Sequence, residues 1–224
     1  MICRYEFKNY KSFKDFSILD LLAPANKVKN RFLNNFNKTE YGLDILKTAV
    51  IVGENAGGKT NLIGSLNFLK SLFKINEKIG SFKNLINTNN ICSNNPDECN
   101  TTQEFSLDIL INNKLYFYVL KIDYLGIIFE SLSLKTSLYG KKQNIFIVSR
   151  DQITKNKKLS RYVLKAKLKP DIIKAFDNIM KSSESLGLFI NKFALLGNKH
   201  SLNFVNYINN NLYAEKIFRN IKNG

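Results

Sequence analysis

One histidine and three cysteines are all the strong transition-metal ligands that these 224 residues hold. Cys3, Cys92 and Cys99 show no C-x-x-C spacing and have only His200 as an imidazole companion, which argues against a zinc site. "CSNNPDEC", with a thiol at each end, reads as a polar loop of reduced cysteines rather than a redox switch. No stretch approaches 18 consecutive apolar residues, so no helical membrane span is expected. Arg4, Glu6 and Lys8 interrupt the start of the chain where a signal peptide would need an unbroken apolar region, and a cytoplasmic protein is expected. Acidic residues are also scarce: 18 Asp and Glu face 34 Lys and Arg, for a formal charge of +16. That excess invites a nucleic-acid reading, because basic side chains on phosphates release counterions. No block of five like charges occurs, however, and 29 of the basic residues are Lys beside 31 Asn, a Lys/Asn/Ile bias that an A/T-rich coding genome produces unselected. DNA remains a further partner to consider, and a solvated basic face is the default.

What is present begins with alternation. Ile2, Arg4, Glu6 and Lys8 fall on one side and Cys3, Tyr5 and Phe7 on the other, the period of a half-buried strand. "NYKSFKD" reads as a turn and "FSILDLL" as a second strand, followed by a surface loop over residues 26–42. "LKTAVIVG" is continuous in apolar and β-branched residues, as expected of a central strand covered on both faces. Leu62, Ile63, Leu66, Leu69, Leu72 and Phe73 then recur at spacings of three and four, predicting a helix over 60–74 with one buried stripe. Residues 76–100 are a long polar connection with one short helix around "SFKNLI". Beyond it, "QEFSLDILI", an Asn112-Asn113 turn, "KLYFYVLKID", a Gly126 break, "IIFESLSLKT", "LYGKK" and "NIFIVSR" predict an antiparallel meander, to which "LSRYVLKAKL" adds a strand. Pro170 opens a helical tail with patterns at 170–181, 184–196 and 201–219.

Between the apolar run and the helix lies Gly53-Glu54-Asn55-Ala56-Gly57-Gly58-Lys59-Thr60, a match to G-x-x-x-x-G-K-[ST]. Gly53, Gly57 and Gly58 permit the backbone to turn its N–H groups inward around a phosphate. Lys59 supplies a charge for the β- and γ-phosphates. The Thr60 hydroxyl is placed to ligate Mg²⁺, and the helix that follows aims its N-terminal N–H groups at the anion. Residues 53–61 are therefore the candidate nucleotide site, with ATP and Mg²⁺ as cofactors.

"FKNYKSF" followed by "LKTAVIVGENAGGKTNLIGSLNFLK" resembles the N-terminal lobe of the ABC-type head ATPases, the SMC and RecF group and most closely the OLD-like and abortive-infection AAA-family ATPases of bacteria. Fainter likeness runs through "FSLDILINNKLYFYVLKID", "IIFESLSLK" and "NKFALLGNKHSLNFVNYI". The resemblance implies an α/β fold: a P-loop NTPase N-terminal lobe over 1–75, a linker and antiparallel β subdomain over 76–168, and a helical segment over 169–224. It assigns Gly53, Asn55, Gly58, Lys59, Thr60 and Asn61 to phosphate and Mg²⁺ contact, and implies work in phage defence or on DNA.

Hydrolysis needs more than a cradle. Such ATPases place a second Mg²⁺ carboxylate and a water-orienting group after four apolar residues, as Asp-Glu, and no such run occurs here. "IIFE", ending at Glu130, lacks the Asp and reads as an ordinary strand residue. The signature loop of the Leu-Ser-Gly-Gly type is absent too. His200 reads as a surface residue rather than a switch histidine, and Gln103 as a faint candidate to sense Mg²⁺ and γ-phosphate. The expectation is an ATP-binding half that requires a C-terminal half or a second ATPase subunit to hydrolyse. The alternative is a non-enzymatic DNA-binding or regulatory remnant.

Overall fold

Alternation buries one face of β1 (Ile2–Lys8), where Tyr5 and Phe7 have no exposure at all. The computed structural model, which describes residues 1–24, 33–55, 57–74, 102–123, 126–150, 162–182 and 187–212, pairs β1 antiparallel with β2 (Ser17–Asp20) on one side and β5 (Gln103–Ile111) on the other. The sheet continues through β6 (Lys114–Asp123), β7 (Gly126–Lys135), β8 (Gln143–Arg150) and β9 (Tyr162–Ala166). Its order is β2-β1-β5-β6-β7-β8-β9, antiparallel throughout. The fold is mixed α/β, and strands from 1–75 and from 76–168 share this one sheet.

The meander follows from its alternation and its turns. Asn112 and Asn113 both adopt left-handed backbone (φ 47° and 55°), the geometry that a two-residue hairpin requires and that Asn tolerates. "LYGKK", expected among the strands, is instead the turn between β7 and β8, where the Gly140 N–H donates to the Ser137 carbonyl at 3.0 Å and Tyr139 stands 96% exposed. Five residues mixing Gly and Lys bury too little to extend a ladder. Strict alternation also fails at one point: the β1–β5 register slips between Ile2 and Arg4. A bulge shifts the side-chain period by one. Ile2 consequently packs against the main core, and Cys3 joins Tyr41, Ile45 and Leu110 in a smaller cluster.

Among the described residues four α-helices accompany the sheet: α1 (Lys59–Lys74), α2 (Pro170–Ser182), α3 (Phe189–Leu195) and α4 (Lys199–Asn211). The stripe predicted for α1 is the one it buries, with Leu66, Leu69, Leu72 and Phe73 in the core and Phe68 beside them. Phe73 meets Tyr118 of β6 and Phe204 of α4, while Phe193 of α3 lies on Phe146 of β8. Gly197, at φ +85°, ends α3, and the Asn198 side chain then caps α4 by accepting from the Ser201 N–H. No helix among the described residues is long and apolar enough to cross a membrane.

The expected loop at 26–42 contains, within its described part, a 3-10 turn at Leu33–Asn35 and β3 (Phe36–Lys38), which pairs with β4 (Asp44–Leu46) as a separate hairpin. The larger correction concerns "LKTAVIVG". It is neither a strand nor covered: residues 47–55 are exposed without interruption, Val50 at 80% and Val52 at 84%. An apolar run marks a segment suited to burial but does not say what buries it. Among the described residues no strand lies beside this one. The expected helix around "SFKNLI" and the "CSNNPDEC" loop lie outside the described residues.

Candidate phosphate-binding loop

The exposed run leads directly into the glycine loop, and the loop directly into α1. Gly57 N–H donates to the Glu54 carbonyl at 3.1 Å, which closes a tight turn around Asn55, while Ala56 lies outside the described residues. Gly58 sits at φ +87°, a left-handed position that L side chains occupy at a cost of about 1–2 kcal/mol. Its carbonyl accepts from the N–H groups of Asn61 and Leu62 at 2.8 and 3.1 Å, and these bonds start the helix. Lys59 turns back over the loop, its Nζ donating to the carbonyls of Gly53 and Glu54 at 2.5 Å each. Thr60 is exposed on the first turn. No acidic residue occupies that turn, so nothing offsets the partial positive charge that orphan N–H groups give a helix N-terminus.

A second element, not foreseen as part of the site, backs the loop. At residues 9–13 the chain reverses after β1, with Tyr10 and Phe13 exchanging backbone hydrogen bonds at 2.9 and 3.0 Å. Asn9 and Lys11 both have positive φ, 56° and 51°. The Phe13 ring lies against Gly58 so closely that a Cβ there would stand 3.0 Å from its Cζ. The Ser12 hydroxyl accepts from Asn61 Nδ2 at 2.8 Å, so that the Asn61 amide faces this turn. Tyr10 donates its hydroxyl to the Gly64 carbonyl at 3.0 Å, and the buried Tyr5 hydroxyl donates to Ser65 Oγ at 3.0 Å. The turn's far side is tied to the sheet: Asn9 Nδ2 donates to the Thr102 carbonyl at 2.9 Å, and Gln103 Nε2 to the Asn9 carbonyl at 3.0 Å. The sequence signal for this element was the "NYKSF" turn itself and the aromatic spacing of Tyr5, Phe7, Tyr10 and Phe13.

The remaining candidates are engaged elsewhere. Gln103 is fully buried on β5, against the 9–13 turn. Glu130 is a buried strand residue on β7 whose carboxylate accepts from the Phe189 N–H (2.7 Å), the Ile190 N–H (2.9 Å) and the Tyr118 hydroxyl (3.1 Å). It thereby satisfies the first orphan donors of α3. Burial pushes Glu130 up to about 7, opposed by those two backbone donors, the Tyr118 hydroxyl and the nearby Lys192. His200, half-buried on α4, lies with Nδ1 3.0 Å from the Tyr116 hydroxyl, and burial lowers its pKa, with Lys114 acting in the same direction. Cys3 is buried and free, its thiol pushed up to about 11 by burial, while Cys92 and Cys99 lie outside the described residues. Among the described residues no three His, Cys, Asp or Glu side chains cluster as a metal site.

No protein-family model matches the chain, and no curated protein matches it.

Proposed function

We propose that this chain binds ATP with Mg²⁺ through residues 53–61, as the N-terminal lobe of a bacterial P-loop ATPase of the ABC/OLD type. The observation that carries the reading is the arrangement at Lys59. Its ammonium folds over Gly53 and Glu54 at the N-terminus of α1, beside a left-handed Gly58, so a cation and a set of helix-start N–H groups converge on one small loop. An entering triphosphate would take the ammonium onto its β- and γ-oxygens, exchanging two neutral carbonyl partners for anionic ones. The Thr60 hydroxyl would supply a ligand to Mg²⁺, whose other oxygens come from the phosphates and water. Mg²⁺ held there would supply neutralisation of the phosphate charge.

A partner is part of the same reading. Residues 47–55 expose a β-branched run that no strand among the described residues covers, and an uncovered strand-like segment recruits another chain. We assign its cover, together with the second Mg²⁺ carboxylate and the signature loop, to a C-terminal half or a second ATPase subunit. Titration of a fluorescent ATP analogue in Mg²⁺ against wild type and Lys59→Ala tests the site. The substitution is expected to weaken binding at least about tenfold, because the terminal phosphates lose their only side-chain cation from the loop. Equal affinities would overturn the reading.

A further inference from the structure

We propose that the turn at residues 9–13 is a clamp that holds the glycine loop in its phosphate-receiving conformation, with Ser12 and Phe13 as positioning residues; this rests on the nucleotide reading above. Three observations converge. First, the turn's contacts fall at Gly58, Asn61 and Gly64, steps of three that place them on one side of the loop's exit and the start of α1. The turn thus grips the loop's exit and the helix start while leaving Thr60, between the gripped positions, exposed.

Second, the turn carries backbone strain of its own. Lys11 at φ 51° is a long side chain in a region that such residues seldom adopt, and it persists because Tyr10 and Phe13 close the reversal with two backbone bonds. Strain of this kind is retained where the surrounding structure over-determines it, often at ligand sites. Third, the clamp has a rigid base: the two side-chain bonds linking Asn9 with Thr102 and Gln103 tie it to β5 in the middle of the sheet. A loop braced in this way has fewer conformations to lose when a triphosphate enters, so its affinity gains by pre-organisation.

Ser12→Ala removes the acceptor for Asn61 and leaves the glycines, Lys59 and Thr60 of the loop unchanged, and Ser12→Thr keeps the hydroxyl. Affinity for the fluorescent ATP analogue in Mg²⁺ is expected to fall about three- to tenfold in Ser12→Ala, the range for one hydrogen bond, and to recover in Ser12→Thr, with the melting temperature of both close to wild type. In an Asn61→Ala background, Ser12→Ala should add nothing. Independently of nucleotide, hydrogen exchange at the amides of residues 57–62 should quicken in Ser12→Ala, while that of β6 and β7 stays unchanged. Wild-type affinity in Ser12→Ala, or additive losses with Asn61→Ala, overturns the clamp alone. A wild type that does not bind the analogue overturns the nucleotide reading, and unaltered exchange in Ser12→Ala would overturn the clamp on its own evidence.

Discussion

Replacing Glu130 with Gln should destabilise the protein by an amount that shrinks as pH rises. The isosteric amide presents NH₂ where one carboxylate oxygen now accepts an N–H, from Phe189 or from Ile190, so a buried donor meets a donor. Leaving such a donor unsatisfied costs about 1–3 kcal/mol at any pH, because a carboxyl, protonated or not, keeps lone pairs on both oxygens. The pH-dependent part comes from burial, which raises Glu130 from 4.5 to about 7. A carboxyl whose folded pKa is raised binds its proton more tightly in the native state, so its contribution is full below the unfolded value and disappears as pH climbs through the folded one. Over the whole window that is worth about 3 kcal/mol, and about 2 kcal/mol between pH 5 and pH 7.5. Asp108, also raised by burial, to about 6, has a slope of the same sign, but it is present in both chains and cancels in the difference. Urea unfolding followed by circular dichroism at pH 5, 6 and 7.5 measures the gap between wild type and Glu130→Gln. A gap that is constant, or that widens with pH, would show that the three donors and Lys192 keep the carboxylate ionised and that burial does not prevail.

Two further variants probe the site and its approach. Gly58→Ala combines a left-handed backbone with a Cβ 3.0 Å from the Phe13 ring, and should cost about 1–3 kcal/mol in stability and most of the nucleotide affinity, read by thermal melting and the same titration; unchanged binding would mean that the loop is not held as described. The chain should self-associate at tens of micromolar by light scattering after size exclusion, and the double change Val50→Lys with Val52→Lys should shift it towards monomer with stability altered by less than about 0.5 kcal/mol, since both side chains are exposed. A wild type that is monomeric under these conditions would contradict the recruiting role given to residues 47–55.

Much of this architecture can be read from the sequence where its determinants are local. The β5–β6 hairpin follows from period-two burial and two consecutive asparagines able to take positive φ, and α1 from apolar residues at three- and four-residue spacing. What escaped depends on residues far apart. Nothing in "ICRYEFK" indicates that Tyr5 will face Leu107, or that a bulge will send Cys3 to a different cluster from Tyr5. "LKTAVIVG" carries the composition of a covered strand, but coverage is a property of neighbours, and here the neighbours are absent among the described residues. At the site, the loop was legible because its glycines and Lys59 are close in sequence, whereas Ser12 and Phe13 lie far ahead of it, in a turn whose aromatic spacing does not say what it packs against. Glu130 was legible as a strand residue; its capping of α3 is a contact between positions 130 and 189 that only the packed structure creates.

The position of β1 between β2 and β5 sets an order of events during synthesis. When the first strand leaves the ribosome, its partner on one side is a dozen residues behind it, but its partner on the other is about a hundred behind, a wait of roughly 5–20 s at ordinary elongation rates. Until then Tyr5 and Phe7, fully buried in the finished protein, have half their surroundings missing. The glycine loop emerges within the same interval, before the strand that anchors the 9–13 turn exists. Nascent chains that end before β5 should therefore hold an aromatic strand and an unbraced loop in need of chaperone cover, and the glycine loop becomes rigid only after the sheet has closed around β1.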